Sequence, residues 1–294
     1  MVKEQSLRIP IKQGIFRKVN IRKMLLVAFY ELISDVLFVL LSRVFRYRSK
    51  VIKKNLRNSF PWISQKEQVD LRRSYYRHLA DLIVEPFMIS GMRKSDIRSF
   101  AHYENGHLLN NILNSGKDVL LMTSHYGNWE YLLTLPLITD YEVIAVYSPM
   151  SNPFIDNHMK RLRSRFGINL IEKSDWYRAV LKRKSTRPAV YIMIADQRPV
   201  QPYKYDVCFL GLKTYVQAGC EKIAQKLKCA VVYLDVEKAE RHCYKYRLKL
   251  LSEDGSHERP EGILNRYYNE LEKTILRKPE LYLWSHDRWK NHEV

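Results

Sequence analysis

The sequence predicts an α/β fold: a single domain with a mixed, largely parallel sheet flanked by helices, plus an N-terminal amphipathic, apolar helix. Three observations carry this. Short β-like runs alternate with helical runs through the middle of the chain. No linker-like stretch divides residues 60–294. One long apolar run, residues 24–41, stands apart near the N-terminus. With 46% hydrophobic residues and 12% aromatics, the chain has the material for a packed core, which excludes intrinsic disorder. No internal repeat recurs, which argues against solenoids and propellers.

The apolar run reads MLLVAFYELISDVLFVLL. As a helix it measures roughly 27 Å, borderline for a bilayer. Glu31, Ser34, Asp35 and Ser42 fall on one stripe of that helix, and the other faces are apolar. Lys3, Arg8, Lys12, Arg17, Lys18, Arg22 and Lys23 precede it; Arg43, Arg46, Arg48, Lys50, Lys53, Lys54 and Arg57 follow. Basic on both sides, it names no inside. It suits a membrane surface or a shallow anchor, against the alternative of a helix packed in the core. We divide the chain into a basic, membrane-associating segment, 1–60, and a catalytic domain, 61–294.

Helical spacing marks residues 64–90, and a short helix at 108–113 is closed by Asn114-Ser115-Gly116. Strands are expected at 118–123, 143–147, 168–171, 189–194 and 230–236, with helices at 129–138, 153–166, 176–184 and 216–228 between them. This alternation implies parallel pairing. Residues 242–251 add an antiparallel strand, 263–277 a late helix, and 281–290 a closing strand whose aromatics cover the core.

A net charge of +19 asks for an anionic partner: nucleic acid, an anionic membrane face, or phosphorylated and acidic substrates. No nucleic-acid-binding motif is present. Cys208, Cys220, Cys229 and Cys243 lack metal-site spacing and read as reduced thiols, so no metal is expected.

The residue with the most suggestive setting is His125, in Ser124-His125-Tyr126-Gly127-Asn128-Trp129-Glu130. It follows a strand and precedes a helix, at the sheet edge where α/β proteins place ligands. An H-x4-E match is what chance supplies in a chain of this composition, so its position is the informative part. In a continuous helix the two side chains would point roughly 140° apart. They meet only if Gly127 breaks the chain and Asn128 caps the helix, leaving His125 in the loop. Glu130 would then orient the imidazole, whose other nitrogen removes a proton from a hydroxyl. Two basic or polar clusters, Arg161-Leu162-Arg163-Ser164-Arg165 and Asp196-Gln197-Arg198, are candidates to hold phosphates, against the plainer reading of solvated faces.

These clusters, in this order, resemble the lipid A biosynthesis acyltransferase family, the late lauroyl and myristoyl transferases of Gram-negative bacteria. The resemblance runs from Asn55-Leu56-Arg57-Asn58-Ser59-Phe60-Pro61 through Ser124–Glu130, Tyr147-Ser148-Pro149 and Phe166-Gly167 to Leu283-Trp284-Ser285-His286-Asp287-Arg288-Trp289-Lys290. It implies an enzyme on the cytoplasmic side of the inner membrane. Such an enzyme takes a fatty acyl group from acyl carrier protein or acyl-CoA and passes it to a hydroxyl of a lipid A precursor. His125 matches the family's general base and Glu130 its orienting partner. Arg163, with Arg165, matches an arginine that assists the acceptor; Asn128, Asp196, Gln197 and Arg198 are the further substrate-binding candidates. No metal or redox cofactor is expected. Ser148 and Asp287 depart from the family pattern, which leaves a different lipid acceptor as the main alternative; a basic nucleic-acid-binding protein is a distant one.

Overall fold

The computed structural model of the protein describes residues 21–183, 185–199 and 204–290. The early cations Lys3, Arg8, Lys12, Arg17 and Lys18, and Lys184 at one expected helix end, lie outside the described residues. In chain order, α1 (Ile21–Val39) leads through one wider turn to α2 (Ser49–Ser59) and α3 (Gln65–Ser90). Then come α4 (Lys94–Ile97), β1 (Ala101–Glu104), α5 (His107–Asn114) and β2 (Val119–Thr123). A 3-10 stretch (Trp129–Leu137) precedes β3 (Glu142–Tyr147), α6 (Pro153–Arg163), β4 (Asn169–Glu172), α7 (Trp176–Leu181) and β5 (Ala189–Ile194). The hairpin β6 (Asp206–Phe209) and β7 (Leu212–Tyr215) is followed by α8 (Gly219–Leu227), β8 (Ala230–Glu240), β9 (Cys243–Ser252) and α9 (Gly262–Arg277).

One sheet has the order β1-β9-β8-β2-β5-β3-β4. Every pairing in it is parallel except β8 with β9. The expected mixed, largely parallel sheet is therefore present. β2 lies at its centre with all five residues buried, as a strand covered on both faces requires. α3 starts from a capping box, Ser64 with Glu67.

Two expected elements differ. Residues 129–137 form 3-10 turns rather than an α-helix, and Pro136 inside them withholds a donor. The closing run 281–290 is a strap of turns rather than a strand; its β-type pairing is one isolated bridge, Tyr126 with Tyr282, beside which the Gly127 N–H donates to the Leu281 carbonyl and the Leu283 N–H to the His125 carbonyl. Side chains take further backbone groups of the strap. Asn55 Nδ2 donates to the carbonyls of Trp284 and His286, each at 2.9 Å. Arg48 donates to the Ser285 carbonyl, and the Tyr75 hydroxyl accepts the Ser285 N–H. Trp284, Arg288 and Trp289 are buried beneath it.

The polar stripe of α1 turns inward, onto α3 and the β8–β9 turn. Ser34 Oγ donates to Asp81 Oδ1 at 2.8 Å. Asp35 pairs with Arg77 and with Arg241. Burial alone would raise the Asp81 pKa; Lys238, Arg241 and Ser34 outweigh it and bring it down to about 2. The opposite face of α1 is uncovered, so this helix is not the core helix of the alternative reading.

His78 on α3 lies beside the Gly127 and Leu281 backbones under the histidine loop. Burial first, then Lys238, pushes its pKa down to about 3, against a partial opposing pull from Asp81. An unfolded imidazole binds its proton below about pH 6.5. The folded state therefore loses stability as pH falls from there towards 3, by about 2 kcal/mol at pH 5 from this group. Urea midpoints at pH 7 and pH 5 check this: the His78→Leu variant should show a smaller drop between the two than the parent protein.

Candidate active site

Two neighbouring strand ends build the centre. β2 and β5 are paired in parallel with Thr123 opposite Ile194, and the Ala195 N–H donates to the Thr123 carbonyl at 3.0 Å. The two chains leave the carboxyl edge side by side. Their connections part here, β2 running on to β3 and β5 eventually to β8, the kind of switch point where open sheets hold ligands. Hydroxyls from α9 satisfy the strand-end carbonyls: Tyr267 donates to Thr123 and Tyr268 to Ala195.

His125 and Asp196 meet at this edge. His125 Nδ1 lies 2.7 Å from Asp196 Oδ1, and the His125 backbone N–H donates to Asp196 Oδ2 at 3.0 Å. Asp196 is 2% exposed. Its burial works to raise its pKa, but the imidazole charge, the two bonds from His125 and the more distant Arg288 hold it below the usual carboxylate value. An ionised carboxylate at Nδ1 fixes that nitrogen as the donor and leaves Nε2 as an acceptor. The Gln197 amide nitrogen stands 3.2 Å from Nε2.

The loop geometry also decides where Glu130 goes. Gly127 has a φ of 64°, and its N–H donates to the Leu281 carbonyl. Asn128 is fully buried; its Oδ1 accepts the Glu130 N–H at 2.8 Å and its Nδ2 donates to Glu85. The break and cap are as expected from the sequence, yet Glu130 does not reach His125. Its carboxylate receives a fork from Arg163, with Nε at 2.8 Å and Nη2 at 2.6 Å, and a third bond from Trp129 Nε1 at 3.1 Å. The Trp129 indole stands between, edge-on to the imidazole with centroids 4.7 Å apart. The carboxylate at Nδ1 is thus Asp196, and Glu130, expected there from the sequence, lies on Arg163 instead.

A cavity of about 350 Å³ joins these groups. His125, Gln197, Glu130, Arg163 and Lys173 give it polar walls; Leu132, Leu133, Val146, Ile168, Leu170 and Ile192 give it apolar ones. Its volume and mixed lining suit an organic ligand with an apolar part. Ser148 also lines it. Three expected binding residues stand elsewhere. Arg165, in the turn after α6, donates to the carbonyls of Ile89, Ser90 and Met92, tying that turn to the end of α3. Asn128 is sealed in the interior. Arg198 is held through its backbone, its N–H on His286 Nε2 and its carbonyl on Gln217. Trp129, Lys173 and Gln217 are lining residues that sequence reasoning did not single out; nothing in their spacing marks them.

One group of metal-type ligands exists among the described residues: Asp81, Glu85 and His242, with ligand atoms within 4.8 Å of one another. Its donors are already engaged. Asp81 carries Lys238 and Arg241, while Glu85 accepts from Asn128, from the Tyr244 hydroxyl, and from His242 Nδ1 at 2.8 Å. Two cations at the site supply the charge that a metal ion would, so we read it as an ion network.

Residues 3–291 match the family model described as bacterial lipid A biosynthesis acyltransferase. The chain is 24% identical over 249 residues to a lipid A biosynthesis palmitoleoyltransferase of Escherichia coli (strain K12), covering 84% of this chain and 80% of that protein. It has the same identity and coverage against a lipid A biosynthesis acyltransferase of Shigella flexneri.

Gly127 is constrained twice: by its positive φ and because an added Cβ would lie 2.9 Å from Val236 Cγ1. Gly116 also has a positive φ but has nothing within 4 Å of that position. We expect Gly116→Ala to cost about 1 kcal/mol from backbone strain and Gly127→Ala to cost about 1–3 kcal/mol more from overpacking, measured by urea denaturation.

Proposed function

The chain belongs to the bacterial lipid A biosynthesis acyltransferase family, and we propose that it moves a fatty acyl group from acyl carrier protein, or acyl-CoA, to a hydroxyl of a lipid A precursor. The proposed setting is the cytoplasmic side of the bacterial inner membrane. The observation that carries the reading is the Asp196-held imidazole, with Nε2 turned to an apolar-walled cavity.

His125 Nε2 takes the proton of the acceptor hydroxyl as its oxygen attacks the thioester carbonyl. Asp196 stabilises the imidazolium that forms. As the tetrahedral intermediate collapses, the carbon–sulfur bond breaks, and the thiolate leaves with the proton from Nε2. The new ester and the free thiol account for every atom. Glu130 enters this scheme through Arg163: the carboxylate grips Nε and Nη2, which leaves Nη1 outside the fork. We assign that edge, with Lys173 nearby in the cavity wall, to an anionic part of the acceptor. Apolar walls accept the acyl chain.

The positive charge serves the same reading, since an acidic carrier protein, a phosphorylated acceptor and an anionic leaflet all attract one basic surface. Ser148 in the cavity wall makes the acceptor the point to test first.

The test is transfer from acyl carrier proteins of differing chain length to a tetra-acyl precursor, read by mass spectrometry. His125→Ala should lower kcat by on the order of 10²–10⁴-fold; unchanged turnover would refute the assigned base. Asp196→Asn should lose on the order of 10²-fold or more in kcat, because the amide neither fixes the donor nitrogen nor stabilises its cation. Glu130→Gln should act mainly on KM for the acceptor, since it loosens Arg163 and leaves the His125–Asp196 contact whole. If instead Glu130→Gln matches His125→Ala in kcat with KM unchanged, the assignment of Glu130 to the acceptor side fails. Inactivity on the precursor with robust transfer to another lipid hydroxyl would move the acceptor assignment and keep the chemistry.

A further inference from the structure

The uncovered face of α1 is one end of a longer apolar strip. Met24, Leu25, Phe29, Leu32 and Val36 on α1 are each more than half exposed. α1 packs along α3, with Leu26 against Gly91. Beyond that contact, α3 shows Ile83 and Phe87, each 41% exposed. The Phe87 ring stacks on His158 of α6 with centroids 5.4 Å apart, and His158 Nε2 lies 3.0 Å from Ser90 Oγ. One turn earlier on α6 stand Ile155 and Phe154, the latter 81% exposed, the most exposed large apolar side chain among the described residues. Just before that helix, Met150 is half-exposed and lines the cavity that holds His125.

We propose that this strip sits in a lipid bilayer with α1 parallel to the membrane surface, and that the first turn of α6 is a second insertion point, placing the rim of the cavity at acyl-chain depth. The role given to the rim rests on the acyl-transfer reading; the seating of the strip does not.

Three observations choose this occupant and this orientation. First, the polar side of α1 is engaged by the protein: Lys23 bonds Ser99, Ser34 bonds Asp81, and the half-exposed Asp35 pairs with Arg77 and Arg241. A spanning α1 would draw Asp35, Arg77, Asp81, Lys238 and Arg241 into hydrocarbon, which charged groups resist. An in-plane α1 sinks only its apolar face and keeps that network on the protein side. Second, the strip is bordered by cations. Arg43, Arg46, Lys50, Lys53, Lys54 and Arg57 follow α1, and among the described residues none of them has an ion-pair partner. Cations beside an apolar face match a plane of anionic headgroups over hydrocarbon. Third, the strip ends at the mouth of a cavity with apolar walls, so a chain could pass from bilayer to site without crossing water.

The experiment uses the full chain with vesicles of phosphatidylcholine and phosphatidylglycerol carrying bromine at a shallow or a mid-chain position. Tryptophan is introduced singly at Leu25, Phe29, Val36 and Phe154, and the signal of the parent's five tryptophans is subtracted. We expect all four to be quenched, with the same preferred bromine depth at positions 25, 29 and 36. Quenching deepest at Phe29→Trp and shallow at both ends would establish a spanning α1 and overturn the orientation. Quenching along α1 but none at Phe154→Trp would overturn the second insertion point. No quenching anywhere, with the chain still transferring acyl groups in detergent, would overturn the seating while the acyl-transfer reading stands. Dimers in sedimentation that persist with vesicles present, with the strip unquenched, would assign it to a second copy of the chain. A functional arm completes the test. Phe154→Ser with Ile155→Ser should lower transfer to acceptor embedded in vesicles by about tenfold or more, as expected when two apolar anchors are lost, and should leave transfer to detergent-dispersed acceptor within about twofold. An equal loss in both would overturn the role given to the rim.

Discussion

The contact between Asp196 and His125 is the constraint around which the rest of the site is arranged. A carboxylate this deeply buried is costly unless its charge is paired and its lone pairs are occupied. Here one oxygen takes the imidazole Nδ1 proton and the other takes the His125 backbone N–H. Both bonds exist because β2 and β5 are parallel neighbours with their last residues in register. A one-residue slip between these strands would reverse the side chains of one relative to the other and separate the pair. The register itself is held by burial along all of β2 and the first four residues of β5. The tyrosine hydroxyls of α9 and the strap at residues 281–290 then close the end. The placement of the imidazole is thus set by strand pairing in the core as well as by the loop that carries it.

A second layer of buried acids fixes the loop. Glu85, with no exposed surface, accepts from Asn128, His242 and Tyr244. Asn128 passes that constraint on by capping the turn at the Glu130 N–H, and the Tyr246 hydroxyl donates to its carbonyl. Glu130 is thereby aimed at Arg163. Two carboxylates far apart in the chain, Asp196 and Glu130, take separate tasks in our scheme: the first serves the imidazole, the second a guanidinium. Networks of this kind hold their shape when their members are satisfied, and Glu85, Asn128, Glu130 and Arg163 each have a partner at hydrogen-bond distance.

How much of this is legible in the sequence follows from what each feature depends on. His125 at the end of a strand, the break at Gly127 and the cap at Asn128 are local, and local patterning shows them. The alternation that gives the sheet is equally local, as is the antiparallel return of β9. The partner of His125 is not. Asp196 is visible as a strand-end residue, but its adjacency to His125 depends on β5 pairing beside β2, although β3 and β4 come between them in the chain. Spacing favoured Glu130 instead, because a nearby carboxylate is what spacing can detect. The closing strap was read as a strand for a similar reason. Its alternating aromatics are real and buried, but Asn55, Arg48 and Tyr75 take its backbone groups, and they lie more than two hundred residues earlier. α2, β1 and the β6–β7 hairpin have no counterpart in the sequence pattern; the strands among them are four residues each and carry polar or charged residues that break an apolar run.

The same distinction explains the orientation of α1. A polar stripe on an apolar helix ordinarily marks the side that faces water. On α1 it marks the side that meets the protein, where Ser34 bonds Asp81 and Asp35 pairs with Arg77 and Arg241. The apolar faces are consequently the outer ones, which is the arrangement that a helix lying on hydrocarbon needs. The inward stripe has a second effect. Asp35 and Ser34 bind the Asp81–Arg241 group; His242, next in sequence to Arg241, binds Glu85; Glu85 binds Asn128; and Asn128 caps Glu130. A continuous set of polar contacts therefore runs from α1 to the loop beside the imidazole. An α1 seated on a bilayer and a loop set at the cavity would then belong to one rigid body, with no flexible tether between them. Whatever depth the membrane imposes on α1 would be imposed on the cavity as well, so that the depth at which a lipid hydroxyl meets His125 would be fixed by the fold.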